Sequence, residues 1–294
     1  HVAHLRAHMK DGGVISLAVN VAARPAQQAF LEAEFALLQY LHERFGLNFL
    51  PHPFVTGETA YMAEDGSQFP LRLFIAEWFE DYHEFHISLR DGEPAIKVWD
   101  LDRGEYYLSP PQTRSLYRKM AAAMTGYLDP ATFSRIYPWH HAAGDFILRR
   151  DGDEIDVRLV TARGYEPLFP LGDDPDERWL ALLHFFFNLT IRMRLDRLDG
   201  TGELAWAAPS SLEGVIAGFL EAWQWKVEAE SAPLPSSEEI LDLLRHLGAE
   251  EWLSMAEPIL EIGAVEADEP DFLRPRLRDH AEELADALRE YGEA

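Results

Sequence analysis

The sequence predicts a mixed α+β chain in which a small antiparallel sheet comes first, a helical body follows, and an acidic helical extension ends it. Three observations carry that expectation. Two β-like runs meet at Arg90-Asp91-Gly92-Glu93 and two more at Asp151-Gly152-Asp153-Glu154. Asp-Gly is a strong hairpin signal because the tightest turns need positive φ at both central residues. Apolar residues then recur at helical spacing over long stretches, above all across 179–198. After Pro233-Leu234-Pro235-Ser236-Ser237 the pattern becomes periodic leucines on an acidic background.

Taken in order, Gly12-Gly13 supply a flexible turn, and the alternation and β-branched content of 14–22 predict a strand. Pro25 opens a helix to about Phe45, with Phe30, Leu31, Phe35, Leu37, Leu38 and Leu41 on one wide face and Gly46 as its stop. The runs 71–79, 84–89 and 95–101 are expected to join the first strand in one antiparallel sheet. Pro110-Pro111 then punctuate the chain, and 113–127 predicts a helix with Leu116, Met120, Ala123 and Met124 on one side. Runs 146–150 and 155–160 form the second hairpin. Asp173-Asp174-Pro175-Asp176-Glu177 offers favoured first-turn residues for the next helix. Its leucines and phenylalanines from Leu180 to Leu189 point in nearly all directions, so the first half should be buried on every side. His184 within it reads as a hydrogen-bonded core histidine. Residues 212–227 predict another helix, and 237–247, 249–262 and 275–291 predict the helices of the tail. No internal repeat interrupts this order.

Composition narrows the function classes. A chain of 294 residues, 47% hydrophobic and 12% aromatic, fills a sizeable core in two domains or one two-lobed domain. Its 51 acidic against 26 basic residues leave a formal charge of −25, a field that repels phosphate backbones and anionic headgroups. No nucleic acid and no membrane partner is therefore expected. The most apolar run, 179–189, is too short to span a bilayer and is followed by Arg192 and Arg194. The first segment carries His1, His4, Arg6, His8 and Lys10 without an apolar middle, so no secretory leader is expected, and the opening on His1 rather than Met leaves the true beginning open. The lack of cysteine excludes disulfides and thiolate chemistry and fits a cytoplasmic protein.

Short motifs are mostly absent. There is no Gly-x-x-x-x-Gly-Lys, Gly-x-Gly-x-x-Gly or Gly-x-Ser-x-Gly. His83 and His86 are three apart in a strand-like run and face opposite sides. His4 and His8 would share a helical face, a weak metal pair. The acidic turn 151–154 does not match the twelve-residue calcium loop and reads as a solvated turn. One stretch stands out: Tyr-Pro-Trp-His-His-Ala-Ala-Gly-Asp-Phe-Ile-Leu, 137–148, crowds imidazoles and a carboxylate against an apolar strand. Gly144-Asp145 is expected to keep the Asp145 carboxylate at a hydrated loop end, where sites are usually built. The alternative is that Pro138 and Gly144 shape a tight connection while Trp139, His140 and His141 cap a core.

The order of elements, together with that loop, resembles the protein-kinase-like fold over about 14–225, in particular its aminoglycoside and choline phosphotransferase branch. In that family a loop reads His-Gly-Asp-x-x-x-x-Asn, leads straight into a two-stranded hairpin, and is followed by a second metal-binding Asp. Laying Gly144-Asp145-Phe146-Ile147-Leu148 on the end of the loop puts His140 at the catalytic Asp, Pro138 at the family His and Asp145 at the metal-binding Asn. Val160-Thr161-Ala162-Arg163-Gly164-Tyr165-Glu166-Pro167 is similar to the segment after the hairpin, with Thr161 in place of the Asp. The strand that usually carries a nucleotide-binding Lys offers Asn20, with Arg24 beyond it, and the helical Glu is Glu32 or Glu34.

The resemblance implies a two-lobed chain: a sheet lobe at 1–80, a helical lobe at 81–232 and an acidic helical extension at 233–294. It implies ATP and Mg for any active member, with a nucleotide or small molecule in the interlobe cleft. Phosphoryl transfer of this kind is positioning plus charge neutralisation by bridging divalent ions. Thr161 supplies no anionic ligand, so the leading expectation is a catalytically degenerate binding or scaffold module. The alternative is an active small-molecule phosphotransferase with His140 as base, Asp145 on the ion and Asn20 or Arg24 on the nucleotide. The C-terminal helices are a candidate surface for a protein partner.

Overall fold

A computed structural model describes residues 1–139, 142–167, 175–230, 233–263 and 266–292. The chain is α+β and divides into two compact units, His1–Tyr82 with Arg158–Gly164, and His83–Val157 with Tyr165–Ala294. No helix among the described residues is long and apolar enough to cross a membrane.

The first unit starts with β1 (Val2–His8), β2 (Val14–Ala22), α1 (Pro25–Phe45), β3 (Pro53–Met62) and β4 (Gln68–Glu77). Its strands form one antiparallel sheet in the order β1-β2-β4-β3. Pro25 sits in the first turn of α1, and Gly46 closes the helix in the left-handed region at φ 62. The apolar face of α1 buries Leu31, Phe35, Leu38 and Leu41, and the Phe35 ring meets Phe74 of β4 at 5.8 Å. The N-terminal segment is a strand rather than a helix. Val2, His4, Arg6 and His8 alternate with Ala3, Leu5 and Ala7, a period of two that outweighs the i,i+4 histidines. His4 stacks on Trp78 at 4.3 Å and meets the Ser16 hydroxyl at 3.0 Å.

The second unit opens with β5 (Glu84–Arg90), β6 (Glu93–Trp99) and β7 (Tyr106–Tyr107). They form a three-stranded sheet of their own, which corrects the expectation that 84–89 and 95–101 pair with the first strand. Both edges of β2 are already taken, by β1 and by β4. The turn itself is as read, with positive φ at Asp91 and Gly92. Then come α2 (Pro110–Gly126), β8 (Ser134–Ile136), α3 (Ala142–Asp145), β9 (Phe146–Asp151), β10 (Glu154–Leu159) and β11 (Tyr165–Pro167). Strand β10 pairs with β9 and its last residues belong to the first unit; β11 pairs with β8.

The helical body continues with α4 (Pro175–Arg194), β12 (Leu195–Arg197), a 3-10 turn at Leu198–Gly200, β13 (Leu204–Trp206) and α5 (Ser211–Ala229). Helices α2 and α5 approach so closely that a methyl group on Gly218 would lie 1.9 Å from the Arg118 carbonyl oxygen, and one on Gly214 would lie 2.5 Å from that of Arg114. His184 is buried in α4 and bonds the Leu180 carbonyl at 2.8 Å, as a core histidine should.

The tail folds as α6 (Ser237–His246), α7 (Ala249–Ser254), α8 (Ala256–Gly263), α9 (Glu269–Leu273), a 3-10 turn at Arg274–Arg276 and α10 (Leu277–Glu290). These helices share the core of the second unit. Trp252 is fully buried, with its ring 5.8 Å from Phe186 and 5.4 Å from Phe187 of α4. Removing such a side chain costs about 3–5 kcal/mol.

Candidate functional site

In the first unit the residues singled out by sequence separate into a partly buried set and a surface set. Asn20 pairs across the sheet with Phe74, so both side chains point to the same face. Phe74 packs on Phe35, which makes that face the α1 side. Glu34 precedes Phe35, is partly buried, and accepts a hydrogen bond from the Thr161 hydroxyl. Loss of solvent raises its carboxyl pKa above the ordinary value, while the Thr161 bond and the nearby Arg163 guanidinium pull it back. Glu32 is the other helical candidate, and it turns outward to an ion pair with Arg72 at 2.5 Å. Arg24 stands exposed at the start of α1, where its carbonyl accepts from the Gln28 amide at 2.9 Å. The structure thus brings Glu34 and Thr161 together and leaves Glu32 and Arg24 at the surface.

In the second unit, Asp145 is the last residue of α3 and directly precedes β9. It is 1% exposed, not at a hydrated loop end. One helical turn stands where an open loop was expected, and the flanking Phe146 and Leu148 draw the backbone into the core. His140 and His141 lie outside the described residues.

Sequence reasoning missed the polar clusters of this unit. His86 bonds Asp196 through Nδ1 at 3.0 Å, and Asp196 also accepts from the amides of Ile87 at 2.6 Å and Arg197 at 2.7 Å. His83 faces Asp100 at 3.5 Å. Each histidine has a carboxylate partner, although nothing in their spacing pointed to one. Deeper still, Arg192 pairs with Glu269 at 2.7 Å and donates to the Trp139 carbonyl at 2.9 Å. Arg194 pairs with Glu283 at 2.6 Å, lies over the Trp206 ring at 4.7 Å, and donates to His280 Nδ1 at 3.0 Å. His280 bonds Thr190 at 3.0 Å. Burial and the Arg194 charge hold His280 well below its ordinary pKa, so it stays neutral near pH 7.

Among the described residues no three His, Asp or Glu side chains converge where a metal ion would sit. The chain matches no protein-family model and no curated protein. Glu34 and Thr161 make a carboxylate–hydroxyl pair, which fixes two backbone segments and offers a single ionisable group.

Proposed function

We propose that this chain is a kinase-like protein, a sheet lobe and a helical lobe, that acts as a catalytically degenerate binding module. The observation that carries this reading is the hydrogen bond between Thr161 and Glu34. Under the kinase-like resemblance Thr161 stands at the second metal-binding Asp and Glu34 at the helical Glu whose partner is the nucleotide-binding Lys. Here the two positions satisfy each other, and Asn20, on the helix side of the sheet, brings an uncharged amide where a cation would be needed.

This donor set does not fit ATP with a pair of divalent ions. Two bridging cations call for anionic oxygens. Thr161 offers a neutral hydroxyl that Glu34 already engages, and Asp145 remains the one carboxylate at a family metal position. A nucleotide or small molecule held without Mg, or a protein partner, is the kind of ligand this reading allows.

Titration calorimetry with ATP, with and without Mg, alongside a coupled assay for ADP release, tests the proposal. Nucleotide binding should be indifferent to Mg and ADP release should stay at the level of the buffer. Mg-dependent turnover would overturn the reading and favour the alternative with His140 as base.

A further inference from the structure

Among the described residues of the second unit three arginines are buried, and one of them differs from the other two. Arg192 and Arg194, each 1% exposed, meet Glu269 and Glu283. Arg135 on β8 is 4% exposed, and no carboxylate among the described residues lies within ion-pair distance of it. Its Nε–H is buried without a hydrogen-bond partner. Glu166 sits directly across the β8–β11 ladder on the same face, but its side chain is exposed and makes no ion pair with Arg135. The contact that Arg135 does make is with Tyr137, whose ring centre lies 4.9 Å from the guanidinium carbon.

That contact accounts for only part of the cost of burial. A guanidinium is attracted to the face of an aromatic ring, but that contact does not replace the hydrogen bonds a buried ion gives up with water. Burial brings the Arg135 pKa down to about 10, with Tyr137 and Glu166 opposing the shift, so the side chain remains charged at pH 7. The ring contact satisfies none of the guanidinium N–H donors, of which Nε–H is left without a partner. An edge of parallel donors matches the paired oxygens of a carboxylate or a phosphate.

We propose that Arg135 anchors a site for a small oxyanion, with the Tyr137 ring against the guanidinium. The net charge of −25 disfavours random anion binding, so a specific anion needs a local cation of this kind. The site is independent of the kinase-like reading, since neither Glu34 nor Thr161 takes part in it.

The experiment is a thermal unfolding series in inorganic phosphate, acetate and chloride at matched ionic strength and pH. Phosphate or acetate should raise the wild-type Tm by about 2–4 °C over chloride at saturation, and whichever of the two acts at the lower concentration names the oxyanion. Arg135→Lys keeps the charge but loses the fork, and Arg135→Met removes the buried charge altogether. At least one should fold whether the charge is needed or a burden, and in it the anion-specific rise should vanish or require about tenfold more anion. Arg289→Gln, at an exposed position of α10, should behave as wild type. A wild-type Tm that ignores anion identity overturns the proposal, as does an undiminished rise in the Arg135 variant that folds.

Discussion

Glu34 in the first unit and Glu269 in the second are both withdrawn from water, and they meet that loss in opposite ways. Glu269 faces the Arg192 guanidinium at 2.7 Å, and both groups are almost wholly buried. Glu34 has the neutral Thr161 hydroxyl as its hydrogen-bond partner, with Arg163 acting only through space. A carboxylate locked to a guanidinium behaves as a fixed strut, because removing either partner strands the other charge. A carboxylate on a hydroxyl keeps a soft proton equilibrium. The Arg192–Glu269 pair therefore lends rigidity to the helical unit, and Glu34 gives the sheet unit a group that titrates.

Breaking the strut should have the largest effect. Glu269→Ala leaves Arg192 buried without its carboxylate and should lower unfolding stability by about 3–5 kcal/mol in urea. A loss below about 1 kcal/mol would mean that Arg192 finds water and the contrast fails. Thr161→Val removes the donor to Glu34, and urea unfolding at pH 7 should show a loss of about 1–3 kcal/mol. The same change should push the Glu34 pKa further up, read by carboxyl carbon NMR.

Proton linkage sharpens the comparison further. Folded His280 stays neutral well below pH 6.5, so protons favour the unfolded chain and stability falls as pH drops below 6.5. His280→Gln should flatten that part of the stability–pH curve. Glu34 has the opposite sign. Its folded pKa lies above 4.5, so the folded chain holds that proton longer, and stability falls as pH rises from 4.5 through the raised value. The wild-type minus Glu34→Gln difference should show this fall, the smallest of the four effects; a difference that is flat across the window would place Glu34 in solvent.

What was legible in the sequence is what short range decides. Pro25 and Gly46 bracket α1, and Asp91-Gly92 and Asp151-Gly152 mark their hairpins; the apolar wrap of α4 marks a helix buried from Ala181 onward, while Trp179 and Leu180, expected inside, stay exposed. The choice of strand partner was not legible, because β5 and β6 carry the same alternation whichever sheet they join. Likewise, Glu32 and Glu34 could be named as a pair, but only the orientation of α1 shows that Glu34 turns inward. Asp145 was located at the right junction with the wrong solvation, since one helical turn replaced the open loop. The His86–Asp196 and Arg192–Glu269 contacts join residues 110 and 77 positions apart, and no local pattern encodes such meetings.

The seam between α2 and α5 has a mechanical meaning. At Gly214 and Gly218 main chain rests on main chain, so there is no rotamer whose change would let the two helices slide or part. A methyl group at Gly218 would therefore have to push the two helices apart, since the atoms it meets are backbone.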